Sequence, residues 1–320
     1  MIAAVLLLLC ARCVPKVKRF NWKSPVLAGL FFILLTSILI FYCLYIPLPT
    51  IKKPFRIYST DKRDDLKELL KKAIGQAEES ITLYSYSITD KDILSLLKNK
   101  DIPVHLYYHE KATPSLKKFE GDLFHLYPIK GRGLMHQKIW IIDQKLLFLG
   151  SANLTPSSLK MHDNLMVGLY APSFAEDLSS EQVEEMSYQI GGINLHYFPL
   201  PSQKGLEAVL ATLDQAQKRV TLSLFTFTHP LLIEKLLELH RRGVQIDLTL
   251  DRTSGQGASR KCREELEKGG IRVKLSQGLQ LHHHKWAKID DKIFILGSAN
   301  WTKAAFNKNR DFILIITHYN

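Results

Sequence analysis

Histidine, lysine, serine and asparagine recur in this chain twice at one fixed spacing. His136-Gln-Lys138-Ile-Trp-Ile-Ile-Asp143 leads to Gly150-Ser151-Ala152-Asn153, and His283-His-Lys285-Trp-Ala-Lys-Ile-Asp290 leads to Gly297-Ser298-Ala299-Asn300. Each second-copy position lies 147 residues after its counterpart, as His283 does after His136. An imidazole titrates near neutrality and serves as nucleophile, acid or base, while ammonium, hydroxyl and carboxamide groups donate to phosphate oxygens. Each set thus offers donors for phosphate oxygens together with a nucleophile or acid that titrates near neutrality.

The elements that must position these groups are strands. Alternation puts His136 and Lys138 on one face. Asp143-Gln144-Lys145 interrupts two apolar runs, Ile139–Ile142 and Leu146–Leu149, which predicts a hairpin. Pairing Asp143 with Leu146 would set His136 opposite Asn153 and Lys138 opposite Ser151, and likewise His283 opposite Asn300 and Lys285 opposite Ser298. Asp143 and Asp290 fall at the turns, where capping of backbone groups is a sufficient role.

The pattern His-x-Lys-x4-Asp-x6-Gly-Ser-x-Asn, present twice, closely resembles the phospholipase D superfamily. That resemblance implies a metal-free phosphodiesterase with no cofactor, working through a covalent phosphohistidine. It implies His136 as nucleophile and His283 as general acid and then base, with the reverse assignment open. Lys138, Lys285, Asn153 and Asn300 would bind the phosphoryl oxygens, with Ser151 and Ser298 as weaker candidates. Each histidine needs an orienting carboxylate, and the resemblance offers Asp163 and Asp311. Asn309-Arg-Asp311 matches the family's Asn-x-acid pattern, whereas Met161-His-Asp163 departs from it at its first position.

Organisation beyond the motifs also repeats. Ser80–Thr89 parallels Arg219–Thr228 as a strand. Each follows an amphipathic helix, carrying Leu66, Leu69, Leu70, Ala73 and Ala77 in the first half and Leu206, Val209, Leu210 and Leu213 in the second. Helices near Lys91–Lys98 and Leu231–Arg241 then lead to strands Val104–Tyr108 and Val244–Leu250. This alternation predicts two similar α/β lobes with mixed sheets, related by a pseudo-twofold. The lobes would span residues 55–170 and 194–320, joined by an acidic, partly helical crossover over 171–193. Because one chain holds both motifs, it should act as a monomer.

Residues 1–50 read as an N-terminal membrane segment. From Val26 to Ile46 there is no charge, and a helix of that length reaches about 31 Å, a bilayer core. Trp22 on one side and Tyr42 and Tyr45 on the other suit the interfaces. Basic residues flank both ends: Arg12, Lys16, Lys18, Arg19 and Lys23 before, and Lys52, Lys53, Arg56 and Lys62 after. This balance favours, by a small margin, a cytoplasmic N-terminus with the catalytic domain on the opposite side. Met1–Leu9 is apolar but too short to span. Pro47–Lys53 offers no small-x-small cleavage site.

Composition bounds the partners. The chain of 320 residues is 46% hydrophobic and carries a net charge of +12, which favours phospholipid headgroups or nucleic acid. Hydrolysis of phospholipid headgroups is the leading expectation. A metal-independent endonuclease and a phosphatidyltransferase are the alternatives, and two complete motifs argue against a silent binding scaffold. Of four cysteines, Cys10, Cys13 and Cys43 lie in or before the apolar segment, so Cys262 has no partner for a disulfide in the body of the protein. His282-His283-His284 resembles a metal tract, but alternation turns His282 and His284 away from His283. Lys130-Gly-Arg-Gly133 reads equally as a phosphate cradle or a turn, and Gly255-Gln-Gly257 as a loop. Tyr84, Tyr86, Phe225 and Phe227 read as sheet core.

Overall fold

The computed structural model describes residues 25–44, 46–180 and 183–317. The chain divides into two units at Pro47/Leu48.

The first unit holds helix α1 (Pro25–Leu44), which carries no charged residue. Side chains are described over residues 25–39, and a helix of that length reaches about 22 Å, against roughly 30 Å for a bilayer core. Among the described residues no helix is long and apolar enough to cross a membrane. Met1–Leu9, Cys10, Cys13, Trp22, Tyr45 and the basic residues from Arg12 to Lys23 lie outside the described residues, as do the side chains of Tyr42 and Cys43.

The second unit contains two mixed sheets. Strands β1 (Phe55–Ser59), β2 (Ile81–Ser85), β3 (Val104–His109), β4 (Phe124–Ile129), β5 (Lys138–Ile142), β6 (Leu146–Gly150) and β7 (Leu165–Tyr170) form the first lobe. Their order is β1-β7-β6-β5-β2-β3-β4. The second lobe holds β8 (Met186–Ile190), β9 (Ile193–Leu200), β10 (Arg219–Leu224), β11 (Gln245–Leu250), β12 (Val273–Leu275), β13 (Lys285–Ile289), β14 (Ile293–Gly297) and β15 (Asp311–Thr317). Its order is β12-β11-β10-β13-β14-β15-β9-β8, which repeats the first sheet and adds β8 at the edge. The predicted crossover 171–193 is therefore divided: helix Pro172–Leu178 follows the first sheet, and β8 joins the second.

The helices form where the sequence places an apolar stripe behind a capping side chain. In helix Leu66–Gly75, Asp65 accepts from the Lys67 and Glu68 amides, and Leu66, Leu69, Leu70, Ala73 and Ile74 are buried. In helix Gln203–Asp214, Ser202 caps and Leu206, Val209 and Leu213 are buried. The two sheets face each other through a shared apolar layer, with Ile139, Ile141, Leu147 and Leu149 against Phe294, Leu296, Phe312 and Leu314. Gly255 lies in a short helix, Arg252–Gln256, and not in the predicted loop. Cys262 is a buried free thiol, and burial pushes it up to about 12.

Each motif forms a hairpin, but one residue out of the expected register. Ile142 pairs with Leu146 and Ile139 with Leu149, so Asp143 is in the turn and unpaired. The reason is local: Asp143 and Gln144 both take positive φ, 52° and 48°, as do Asp290 and Asp291 at 48° and 57°. The small side chain of an aspartate tolerates that region better than most. The motif glycines mark close strand approach. A Cβ on Gly150 would meet the Leu165 carbonyl oxygen at 2.1 Å, and one on Gly297 the Phe312 carbonyl oxygen at 2.2 Å.

Candidate active site

The histidines sit just before β5 and β13, where each lobe reaches into the other. The His136 amide donates to Arg310 O at 2.8 Å, and the Arg310 amide donates to Leu134 O at 2.8 Å. Symmetrically, the His283 amide donates to Asp163 O and the Asp163 amide to Leu281 O, both at 2.9 Å. These short parallel bridges replace the expected pairing of His136 with Asn153. They set each imidazole beside a residue of the opposite lobe.

His136 Nδ1 lies 2.8 Å from Asp311 Oδ1, which also accepts from Ser298 Oγ at 2.6 Å. His283 Nδ1 lies 3.0 Å from Asn164 Oδ1, which accepts from Ser151 Oγ at 2.8 Å. Both serines are buried and hold the group that orients a histidine, a different task from the phosphate binding expected of them. The expected pairing of Asp163 with His283 is overturned. Asp163 and Asn164 are neighbours on an extended segment and point to opposite sides. The Asp163 carboxylate meets His282 Nδ1 at 3.2 Å, and the amide of Asn164 takes the place beside His283.

The lysines lie beneath the histidines. Lys138 Nζ donates to His136 O at 2.6 Å and Lys285 Nζ to His283 O at 2.9 Å, and both side chains are buried. Tyr86 and Phe225, expected in the core, pack here instead. The Tyr86 ring is 5.2 Å from His136 and the Phe225 ring 5.1 Å from His283, centroid to centroid. Lys138 Nζ stands 5.4 Å from the Tyr86 ring centre and Lys285 Nζ 5.3 Å from that of Phe225. Phe227 is fully buried as expected, and Tyr84 packs at the edge of the inter-sheet core. The matched positions of Tyr86 and Phe225 in the strand repeat were the signal for their role.

Asn153 and Asn300 are half-buried beside the serines, and the Oδ1 of each has no hydrogen-bond partner among the described residues. An amide oxygen only accepts, so the Nδ2 of each is the atom that could donate to a phosphoryl oxygen.

Burial dominates the electrostatics. It lowers His136 below the usual histidine value, against the pull of Asp311, while Lys138 and Lys285 reinforce the lowering. His283 is held well below the usual value, first by burial and then by Lys285, Lys138 and His136. Burial brings Lys138 down to about 7 and Lys285 well below its ordinary value. Burial pushes Asp311 up, but His136, Lys138 and Ser298 outweigh it and the carboxyl stays below the usual range. Each half thus feels the charges of the other. An anionic phosphodiester arriving here would restore the lysine charges and be held by them.

The motif aspartates stand apart from this chemistry. Asp143 accepts from the amides of Glu78, Glu79 and Ser80 at 2.7–3.2 Å, and Asp290 from those of Gln217, Lys218 and Arg219 at 2.7–2.9 Å. Each carboxylate ties the entry of a central strand to the hairpin turn. Burial raises the Asp143 carboxyl, but its backbone donors and Lys145 bring it below 3.8. Its stabilisation is therefore complete above that value and is lost as pH falls through the lower folded one. Asp143→Ala is expected to cost about 2–4 kcal/mol of stability by stranding these donors. Residual kcat at low temperature should stay near that of the parent, and thermal melting alongside kinetics checks both.

The two histidines that flank His283 are spent on structure. His282 bonds Ser223 Oγ at 2.6 Å as well as Asp163, and His284 Nε2 bonds Asp61 at 2.7 Å. Among the described residues no cluster of three or more such side chains could hold a metal ion. Gly131 and Arg132 are exposed, and the Leu134 amide beyond them donates to Asn309 Oδ1 at 3.0 Å.

The chain is similar to known proteins over different extents of its length. The mitochondrial cardiolipin hydrolase of Xenopus laevis is 36% identical over 118 residues, 37% of this chain and 56% of that protein. A phospholipase D of Rickettsia bellii is 29% identical over 104 residues, 32% of this chain and 51% of that protein. The chain thus spans about half the length of the curated relatives it matches. The crystal structure of phosphatidylserine synthase from Haemophilus influenzae Rd KW20 superposes with a TM-score of 0.63 at 13% identity, covering 85% of this chain and 83% of that one, a likeness of fold. The family described as cardiolipin synthase, PLD-like domain, matches residues 70–186 and 209–320, one stretch in each lobe, and the chain belongs to that phospholipase D-like family.

Proposed function

We propose that the protein is a membrane-anchored phosphodiesterase of phospholipase D type, cleaving phospholipid headgroups through a phosphohistidine. The observation that carries this reading is the reciprocal tie of each Nδ1 to the opposite lobe. With Nδ1 tied to an acceptor, Nε2 of each ring is the atom left for chemistry. His136 Nε2 attacks phosphorus, and Asp311 stabilises the resulting cationic ring. His283 protonates the departing alkoxide, then takes a proton from water or an acceptor alcohol that releases the phosphoryl group. Lys138, Lys285, Asn153 and Asn300 hold the non-bridging oxygens.

Phospholipid as substrate is supported by the relatives named as cardiolipin hydrolases and phospholipase D, and by the uncharged stretch of α1. Anchoring would concentrate the site at a lipid surface, with the N-terminus in the cytoplasm and the catalytic unit across the membrane. The net charge of +12 over the whole chain suits anionic headgroups.

The test is a product assay on the detergent-solubilised full chain, with cardiolipin, phosphatidylcholine and single-stranded DNA offered in parallel in excess chelator. Expected are release of headgroup alcohol and transfer of the phosphatidyl group to an added primary alcohol. Efficient cutting of DNA with every phospholipid intact would replace this reading with a nuclease. Loss of all activity to the chelator, restored by a divalent cation, would refute the mechanism.

A further inference from the structure

The two halves of the site differ in one group that decides charge. His136 meets a carboxylate, whereas His283 meets a carboxamide at the matching position. Its surroundings fix how that amide points. Asn164 Nδ2 donates to Ser158 O at 2.7 Å and lies 3.2 Å from Ser158 Oγ, while Oδ1 faces Ser151 Oγ and His283. A flipped amide would press its oxygen against the Ser158 carbonyl, so Oδ1 must accept the Nδ1–H of His283. The second lobe is built differently. Ala305 stands where the first has Ser158, and Asp311 Oδ2 has no hydrogen-bond partner among the described residues. One pocket is shaped for an amide NH2 and the other for a carboxylate.

We propose that Asn164 is a positioning residue that makes the two histidines unequal. Its neutral amide accepts the Nδ1–H of His283 but offers no charge to retain a second proton at Nε2, and so commits the His283 imidazolium to proton donation and His136 to carrying the phosphoryl group. This rests on the phosphodiesterase reading above. In the first step the His136 Nε2 lone pair forms the N–P bond. The P–O bond to the leaving alcohol breaks, and that oxygen takes the Nε2 proton of the His283 imidazolium, leaving a neutral ring whose Nδ1–H still faces Asn164. The positive charge then sits on the His136 ring, beside Asp311. In the second step water gives its proton to His283 and forms the new P–O bond, and the N–P electron pair returns to His136. Only the ring that carries the charge of the covalent intermediate has a carboxylate beside it. A weakly held proton makes His283 the better acid.

The other groups around His283 reinforce the difference. Lys285 faces it from its own strand, Lys138 and His136 from the first lobe, and His162 from the segment before Asn164. The nearby carboxylates are engaged elsewhere: Asp163 with His282, Asp251 with the Ser254 and His282 amides, and Asp311 with His136.

The experiment compares the full chain with Asn164→Asp and with Asn164→Asp/Ser158→Ala, the pair that reproduces the Asp311 surroundings. Titration of 15N-labelled histidines by NMR should move the His283 midpoint up by about 1–3 pH units and leave His136 in place. In kcat/KM profiles on cardiolipin or a single-stranded oligonucleotide, whose alkoxide leaving groups need a proton, the alkaline limb should rise by the same amount. With bis(4-nitrophenyl) phosphate, whose leaving group needs none, it should not move. An unchanged His283 midpoint in both variants overturns the proposal, whether or not any substrate is turned over. An equal rate loss on both leaving-group classes without a shifted limb makes Asn164 merely structural and overturns it too. Failure of the unmodified chain to cleave any phosphodiester counts against the functional reading, while the NMR midpoint still decides the role of Asn164.

Discussion

Alanine at His136 or His283 should each remove nearly all turnover, on the order of a thousandfold or more, and the double variant should be little worse than either. The non-additivity follows from shared labour: neither ring completes a cycle without the other. The two variants should nevertheless fail differently. His283→Ala keeps the nucleophile, so with an aryl phosphodiester it should trap a phosphoryl-enzyme that is stable in alkali and labile in acid. His136→Ala should trap none. Peptide mapping of the labelled chain locates the phosphoryl group, and label on His283 alone would reverse the assignment. Both side chains are buried, so melting temperatures must accompany the kinetics.

Asp311→Asn should lower kcat by about 10²–10⁴-fold, the range seen when a carboxylate that steadies a working histidine becomes an amide. The fold should survive. An amide oxygen can still accept from Ser298 Oγ and from His136 Nδ1, which now meet Asp311 Oδ1 at 2.6 and 2.8 Å. Lost is the negative charge facing a phosphoimidazolium, so phosphoryl-enzyme formation should slow more than its hydrolysis. Asp311→Ala would strand both donors in the core at about 1–3 kcal/mol each. Stopped-flow release of 4-nitrophenol separates the steps, and an Asp311→Asn enzyme with unaltered burst kinetics would count against a charge-bearing His136.

The motif residues were legible because chemistry constrains their types and a duplicated spacing reveals them without any structure. The two lobes were legible for a related reason: apolar periodicity around Leu66–Ala77 and Leu206–Leu213 reflects burial that each helix must achieve locally. The hairpin register was not. It turned on two consecutive left-handed residues, Asp143 and Gln144, in a turn where Asp143 also ties down the backbone amides of Glu78, Glu79 and Ser80, far away in sequence. A single-residue slip there moves every expected cross-strand neighbour.

The partner of His283 shows the boundary most clearly. The spacing that matches His136 with His283 also matches Asn164 with Asp311, so the residue was in view. A carboxylate next door, Asp163, suited the chemistry better, and sequence alone cannot say which of two adjacent side chains faces a given ring. The sequence by itself determined the duplicated motif, the two lobes, and the chemical groups each contributes. Only the tertiary structure decided that Tyr86 and Phe225 pack on the histidines, that Ser151 and Ser298 brace the orienting groups, and that one histidine meets a carboxylate and the other a carboxamide. Those facts depend on where two lobes cross, at the bridges from Met135 to Arg310 and from Asp163 to His282. Contacts between segments so distant along the chain are set by how the sheets pack and leave no local periodicity to read.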